Sequence, residues 1–222
     1  MFTIPNIITL LNLLAGSIGI VLVIRGDAAG GAIWVWIAVF FDYLDGMIAR
    51  LTNTHSDIGK DLDSLADVVS FGVLPGMVIF RMMEPIAPFE FAEYLAFLIP
   101  AFSALRLAKF NNDTRQADTF FGLPTPSNAL FLTALPFLNF GFLDNYWILL
   151  GIELSFCYML ISELRMFAMK FKDLSFGRNK WKYLAVVLTL IMLVVFRVKA
   201  IPFVILGYIL VSFTINIQGR RA

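Results

Sequence analysis

Charge is scarce in this chain. Aspartate, glutamate, lysine and arginine together make up 15% of its 222 residues, against roughly 25% in a soluble domain of ordinary composition. Cysteine occurs once, which rules out an intrachain disulfide. Cys157 falls inside an apolar run, where a small buried hydrophobe is the expected role. Histidine also occurs once, at His55, in a short polar stretch where a solvated loop side chain is expected. The chain has no P-loop, no GxGxxG, no internal repeat and no low-complexity tract. It also has no basic run interleaved with aromatics facing water, and its net charge is only +1. Nothing in it suggests a nucleic-acid partner.

Long apolar runs fill the sequence instead. Hydrophobic residues make up 59% and the mean hydropathy is +0.83. The runs fall at about 4–24, 28–50, 62–82, 91–109, 127–143, 146–168, 183–197 and 201–217. A helical span needs about 20 apolar residues, so eight spans take up about 160 and leave only about 60 for loops. The runs are too long and too poorly alternating for barrel strands, and every span must satisfy its own backbone. The expected fold is all-α: one polytopic transmembrane bundle of about eight spans covering 1–222. The last two runs are joined only by Arg197, Lys199 and Pro202, a tight re-entry. The opening MFTIPNIITLLNLLAGSIGIVLVI has no basic segment ahead of an apolar run too long for a signal peptide, so it is expected to be the first span.

Placing the N-terminus in the cytoplasm puts thirteen basic residues on the cytoplasmic side, leaving Arg25, Arg81, Arg197 and Lys199 on the other. The positive-inside rule therefore predicts a multi-pass membrane protein with both termini cytoplasmic. The loop from Arg165 to Lys182 carries six of those cations. It reads first as a topological anchor and second as a contact for anionic headgroups.

One polar stretch interrupts the pattern. It runs Asp42-x-x-Asp45-Gly46-x-x-Ala49-Arg50, then eight residues, then Gly59-x-x-x-Asp63-x-x-x-Asp67. Spacings of three and four place each pair of acids on one helix face. Two consecutive antiparallel helices turning near 51–59 would bring Asp42 level with Asp67 and Asp45 level with Asp63. No lysine or arginine lies on those faces at that depth, so the four carboxylates must be protonated or neutralised. An oxygen-only donor set suits Mg²⁺ or Mn²⁺ and has room for two ions, an arrangement suited to phosphoryl transfer. Gly46 and Ala49 remove bulk beside the acids, as Gly59 does at the turn, where a helix N-terminus favours an anion. A divalent-cation transporter is the alternative from another class. It predicts acids midway through other spans, where Glu153 and Glu163 are the only candidates.

The stretch Asp42–Asp67 resembles the signature of the CDP-alcohol phosphatidyltransferase family at every fixed position. That resemblance implies an integral membrane enzyme, usually a homodimer, acting on a CDP-linked lipid at the cytoplasmic interface. It implies that Asp42, Asp45, Asp63 and Asp67 bind two divalent ions, with Asp67 also the general base. Asp45, Gly46, Ala49, Arg50 and Gly59 would then line the CDP site. Within the family the chain looks most like the membrane-bound phosphatidylserine synthases. The likeness lies in Pro5-Asn6-Ile7-Ile8-Thr9-Leu10-Leu11-Asn12, Leu65-Ala66-Asp67-Val68-Val69-Ser70-Phe71-Gly72-Val73, Arg106-Leu107-Ala108-Lys109-Phe110-Asn111 and Phe121-Gly122-Leu123-Pro124-Thr125-Pro126.

These stretches imply catalytic helices over about 1–130, further spans over about 127–217, and transfer from CDP-diacylglycerol to L-serine in a prokaryotic cell membrane. Arg106 and Lys109 would meet the serine carboxylate, with Asn111 orienting it, although both cations also fit ordinary interfacial snorkelling. Asn6 and Thr9, on one face of the first span, would reach cytidine or phosphate. Another acceptor, glycerol 3-phosphate or an inositol phosphate, is the alternative within the family and would call for a denser cluster of cations near the metals.

Overall fold

The computed structural model describes residues 3–54, 56–113, 120–166, 187 and 189–219. His55, the basic stretch 167–182 and the start of the seventh apolar run at 183–186 lie outside the described residues.

The first three helices are bounded by short polar signals. Helix α1 (Ile4–Ile24) starts at Thr3, whose side chain accepts from the Asn6 N–H, with Pro5 in the first turn. It ends at Arg25–Gly26, with Gly26 at φ 92°. Asp27 then caps α2 (Ala28–Thr52), its carboxylate accepting from the Gly30 N–H at 2.7 Å. Only three residues therefore separate two antiparallel spans. Helix α2 ends on Asn53 in the left-handed region, and Ser56 caps α3 (Asp57–Asp67) by accepting from the Gly59 N–H at 3.0 Å.

Helices α1 and α2 cross on small residues, the usual device where lipid supplies no hydrophobic drive. A Cβ at Gly31 would lie 2.3 Å from Val23 Cγ2 and 2.8 Å from the Gly19 carbonyl oxygen. Gly31→Leu is therefore expected to cost about 1–3 kcal/mol or more by overpacking and to lower the melting temperature in detergent. An unchanged melting temperature would contradict a crossing this close.

The third span is not a uniform α-helix. After Asp67 it widens into a π-helix at Val68–Val73, then returns to α geometry in α4 (Leu74–Met83). Pro75 supplies the reason. It has no N–H to give an i−4 carbonyl, and its ring crowds that carbonyl. A local i−5 register, seen in the Leu74 N–H bonding to the Val69 carbonyl, opens the turn ahead of the ring.

Beyond it come α5 (Leu98–Asn112), α6 (Thr125–Ala134) and α7 (Tyr146–Ile161). Helical residues 189–196 (α8) are followed by α9 (Ile201–Gly219). A 3-10 turn at Arg197–Ala200, with Arg197 at φ 51°, separates α8 from α9 where the re-entry is expected. A two-residue ladder pairs Phe120–Phe121 (β1) with Arg165–Met166 (β2). It lays the segment after α5 on the end of α7, where a Cβ at Gly122 would come within 2.5 Å of the Leu160 carbonyl oxygen.

The chain is mostly helical. Among the described residues, four stretches are long and apolar enough to cross a membrane: Ile4–Ile24, Ala28–Thr52, Asp57–Ile86 and Thr189–Thr214. The 91–109 run divides into a 3-10 segment, Ala92–Phe97, and α5. The 127–143 run breaks after the ten residues of α6, with Pro136 just past its end. Buried Phe71, Leu74, Val78 and Ala129 form one core with α1 and α2, and Ile99, Leu132, Leu149 and Phe156 belong to a second. Ile4, Ile7, Leu11, Leu14, Ile18 and Val21 leave the outer face of α1 apolar and exposed, as suits a helix solvated by lipid.

Candidate active site

Four helix ends meet at one end of the bundle: the starts of α1 and α3 and the finishes of α2 and α5. The turn between α2 and α3 reverses the chain, so the acids of α2 face those of α3. One oxygen each from Asp42, Asp63 and Asp67 lies within 4.8 Å of the others, and among the described residues this is the only such cluster of acidic, histidine or cysteine side chains. Glu153 is fully buried in α7, apart from the cluster.

Asp45 sits beside these three. It is buried, and its Oδ2 accepts from the Thr9 hydroxyl at 2.7 Å. Asp67 is buried too, and its Oδ1 accepts from Asn12 Nδ2 at 3.3 Å. Asp63 Oδ1 is buried with no hydrogen-bond partner. At the depth of the acids α2 and α3 hold no cation, as the sequence indicates, but α5 brings one. Arg106 is buried, interacts electrostatically with Asp67, and donates from Nε to the Leu123 carbonyl at 3.2 Å. One guanidinium does not balance four carboxylates. Clustered hard oxygens, one of them buried without a donor, fit a bound Mg²⁺ or Mn²⁺.

A cavity of about 600 Å³ opens beside the acids, within the range typical of small-molecule sites. Helix α1 contributes Asn6 and Thr9, and α2 contributes Asp45, Gly46, Ala49 and Arg50. Gly59 of α3 completes the expected set, and Asp63, expected as a metal ligand, lines the same space. Every residue expected at the CDP site therefore lines one space. A Cβ at Gly46 would meet nothing nearer than Arg50 Nη1 at 4.0 Å, so this glycine leaves the wall open. A Cβ at Gly59 would stand 3.0 Å from Asn6 Oδ1, so this glycine lets α3 close on α1. The N-terminus of α3, with its positive end of the helix dipole, borders the same space.

Lys60 and Ser56 also line the cavity. Both lie inside the eight-residue gap or the three-residue spacer of the motif, where the pattern fixes nothing. The available signal for Lys60 was a lone cation one residue after the glycine.

The three residues expected to meet an acceptor are separated by their partners. Arg106, bonded to the Leu123 carbonyl and 5.1 Å from the Phe110 ring centroid, lies close enough to Asp67 to feel its charge. Lys109 donates to Glu163 Oε1 at 3.2 Å and to the Ile161 carbonyl at 3.4 Å, tying α5 to the end of α7. Asn111 donates to Ser64 Oγ at 2.7 Å, and its carbonyl accepts from Lys60 Nζ at 2.8 Å, tying α5 to α3. Both therefore brace the wall behind the acids.

Residues 2–159 match the family model described as CDP-alcohol phosphatidyltransferase. The chain is 34% identical over 134 residues to the CDP-diacylglycerol–serine O-phosphatidyltransferase of Bacillus subtilis (strain 168), covering 60% of this chain and 75% of that enzyme. It is 36% identical over 143 residues to the protein of the same name in Methanocaldococcus jannaschii, covering 64% and 65%. Its identity to the one in Helicobacter pylori (strain J99) is 33% over 172 residues, covering 73% and 68%.

Proposed function

Because the chain belongs to the CDP-alcohol phosphatidyltransferase family, we propose that it transfers the phosphatidyl group of CDP-diacylglycerol to L-serine, giving phosphatidylserine and CMP. The observation that carries this reading is the meeting of Asp42, Asp63 and Asp67 beside a polar cavity large enough for a nucleotide. The names of the relatives support serine as the acceptor.

In this reading the cytidine and pyrophosphate lie in the cavity against Asn6, Thr9, Gly46, Ala49, Arg50, Gly59 and Lys60, and the two acyl chains stay in lipid. Asp42, Asp45, Asp63 and Asp67 would hold two Mg²⁺ or Mn²⁺ ions, which would supply neutralisation of charge on the pyrophosphate and on the phosphate in transfer. Arg106 meets the carboxylate of serine. Asp67 takes the proton from the serine hydroxyl as that oxygen bonds to the phosphorus bearing diacylglycerol and the bond to CMP breaks. The excess of basic residues at the site's end supports a cytoplasmic site and cytoplasmic termini. Eight crossings in one membrane domain and a homodimer in a prokaryotic cell membrane belong to the same proposal.

The test is CMP release in detergent from CDP-diacylglycerol and Mn²⁺, with L-serine, glycerol 3-phosphate and an inositol phosphate offered in turn. Serine alone is expected to support release. Release with a phosphorylated acceptor instead would keep the acids and replace serine. Arg106→Ala is expected to raise the KM for serine at least about tenfold, the loss of one charge-assisted hydrogen bond, while the KM for CDP-diacylglycerol changes less than about twofold. An unchanged serine KM would move the acceptor carboxylate elsewhere.

A further inference from the structure

Asn12 lies in an apolar helix and has no exposed surface (0%). A carboxamide buried in a membrane span is costly unless both its halves are bonded. Here only one half is. Nδ2 donates to Asp67 Oδ1 at 3.3 Å, whereas Oδ1 of Asn12 is buried with no partner. A half-satisfied amide is worse for packing than an apolar residue of the same shape, so stability alone gives no reason for asparagine here.

The surroundings fix this amide against Asp67. The main-chain carbonyl of Asn12 accepts from Ser70 Oγ at 3.0 Å. One turn further along α1, Gly16 makes room for Ser70: a Cβ there would lie 2.8 Å from Ser70 Cα. Asn12 therefore grips the third span at two points three residues apart, the last residue of α3 and the middle of the π-helix. The π turn sets the rotation of Ser70 relative to Asp67, and with it where the carboxamide meets the carboxylate. Asp67 Oδ2 has no hydrogen-bond partner among the described residues.

We propose that Asn12 is a positioning residue for Asp67: it pins Oδ1 through its amide and leaves Oδ2 as the oxygen that receives the acceptor's proton. The proposal rests on the reading of Asp67 as general base. Holding one carboxylate oxygen removes rotation of the carboxyl group, and a base misplaced by about 1 Å loses on the order of 100-fold in rate.

Asn12→Leu is the informative variant, because leucine fills the same volume and suits the apolar surroundings. With the full chain in detergent and whichever acceptor supports CMP release, this variant is expected to keep the wild-type melting temperature. Mn²⁺ stoichiometry by calorimetry and the KM for CDP-diacylglycerol should also be retained. Its kcat should fall about 10- to 100-fold. Asn12→Gln, which keeps the donor on a longer arm, should recover part of that loss. A merely structural asparagine would move the melting temperature and leave kcat of the folded protein alone. Wild-type kcat in Asn12→Leu, alongside an inactive Asp67→Asn, would overturn the positioning role and spare the base. An active Asp67→Asn would overturn both. Should Asn12→Leu not fold, Ser70→Ala releases only the carbonyl grip. A fall in its kcat at constant KM supports the proposal, and an unchanged kcat overturns it.

Discussion

Asp67→Asn is expected to lower kcat for CMP release by about 100- to 10,000-fold, the usual contribution of a general base. The substitution keeps the shape of the side chain, and its carboxamide oxygen can still accept from Asn12. What it removes is the proton acceptor and one negative charge among four. Two losses are then mixed, because a missing carboxylate also weakens any bound cation. The neighbours separate them. Asp42→Asn and Asp63→Asn lose a ligand without losing a base, so raising Mn²⁺ to saturation should restore much of their rate. Asp67→Asn should stay slow at every Mn²⁺ concentration. If saturating Mn²⁺ brought it back to near-wild-type kcat, Asp67 would be a ligand alone and the base would have to lie elsewhere around the cavity.

The parts of this site that the sequence makes legible are those set by local spacing. Asp42, Asp45, Asp63 and Asp67 recur at helical intervals on either side of a short polar turn, and any antiparallel pair of helices joined there brings them together. The finer register keeps the two expected pairings, Asp42 with Asp67 and Asp45 with Asp63, and adds contacts between them. Asp42 meets Asp63 as well as Asp67, while Asp45 turns to Thr9 on α1. The added bond from Thr9 depends on α1 packing beside the pair, which no spacing within 42–67 reveals. Long-range partners are illegible for the same reason. Lys109 and Asn111 read as contacts for a small acceptor because nothing in α5 shows that Glu163 and Ser64 will reach them.

The π-helix was hidden inside an unbroken apolar run, although Pro75 marked where an α register had to fail. Asn12 carried a signal too. It follows Asn6 and Thr9 at intervals of three along a helix whose only other polar side chain is the exposed Ser17, and each of the three comes to lie against the α2–α3 pair. The short helices at the C-terminal end are the least legible, because apolar composition describes how a segment meets lipid and not how many residues of it stay helical. Pro136 ends α6 early, and α7 is held at sixteen residues between its Asn145 cap and the extended segment that leads to Arg165.

Exhaustive chelation is expected to abolish CMP release, with Mn²⁺ or Mg²⁺ restoring it. The requirement for a cation follows from the carboxylates and not from the reaction. Three acids with oxygens inside 4.8 Å repel one another, and Arg106 interacts with only one edge of the group. Unlike charges on an open protein surface, these are half-buried or, for Asp67, buried, so a cation is needed to hold them together while ionised. Removing it should therefore also loosen the site, and the chelated protein should melt at a lower temperature than the Mn²⁺-loaded one by mass action. Asp63→Ala sharpens the test. It deletes the carboxylate whose Oδ1 is buried without a donor, so it relieves repulsion and removes a ligand at once. Its chelated form should melt no lower than chelated wild type, while Mn²⁺ should raise its melting temperature less and restore its activity only at higher concentration. If Mn²⁺ stabilised Asp63→Ala as strongly as wild type, the cation would be bound without Asp63, and the cluster of Asp42, Asp63 and Asp67 would have to be assigned to something other than metal binding.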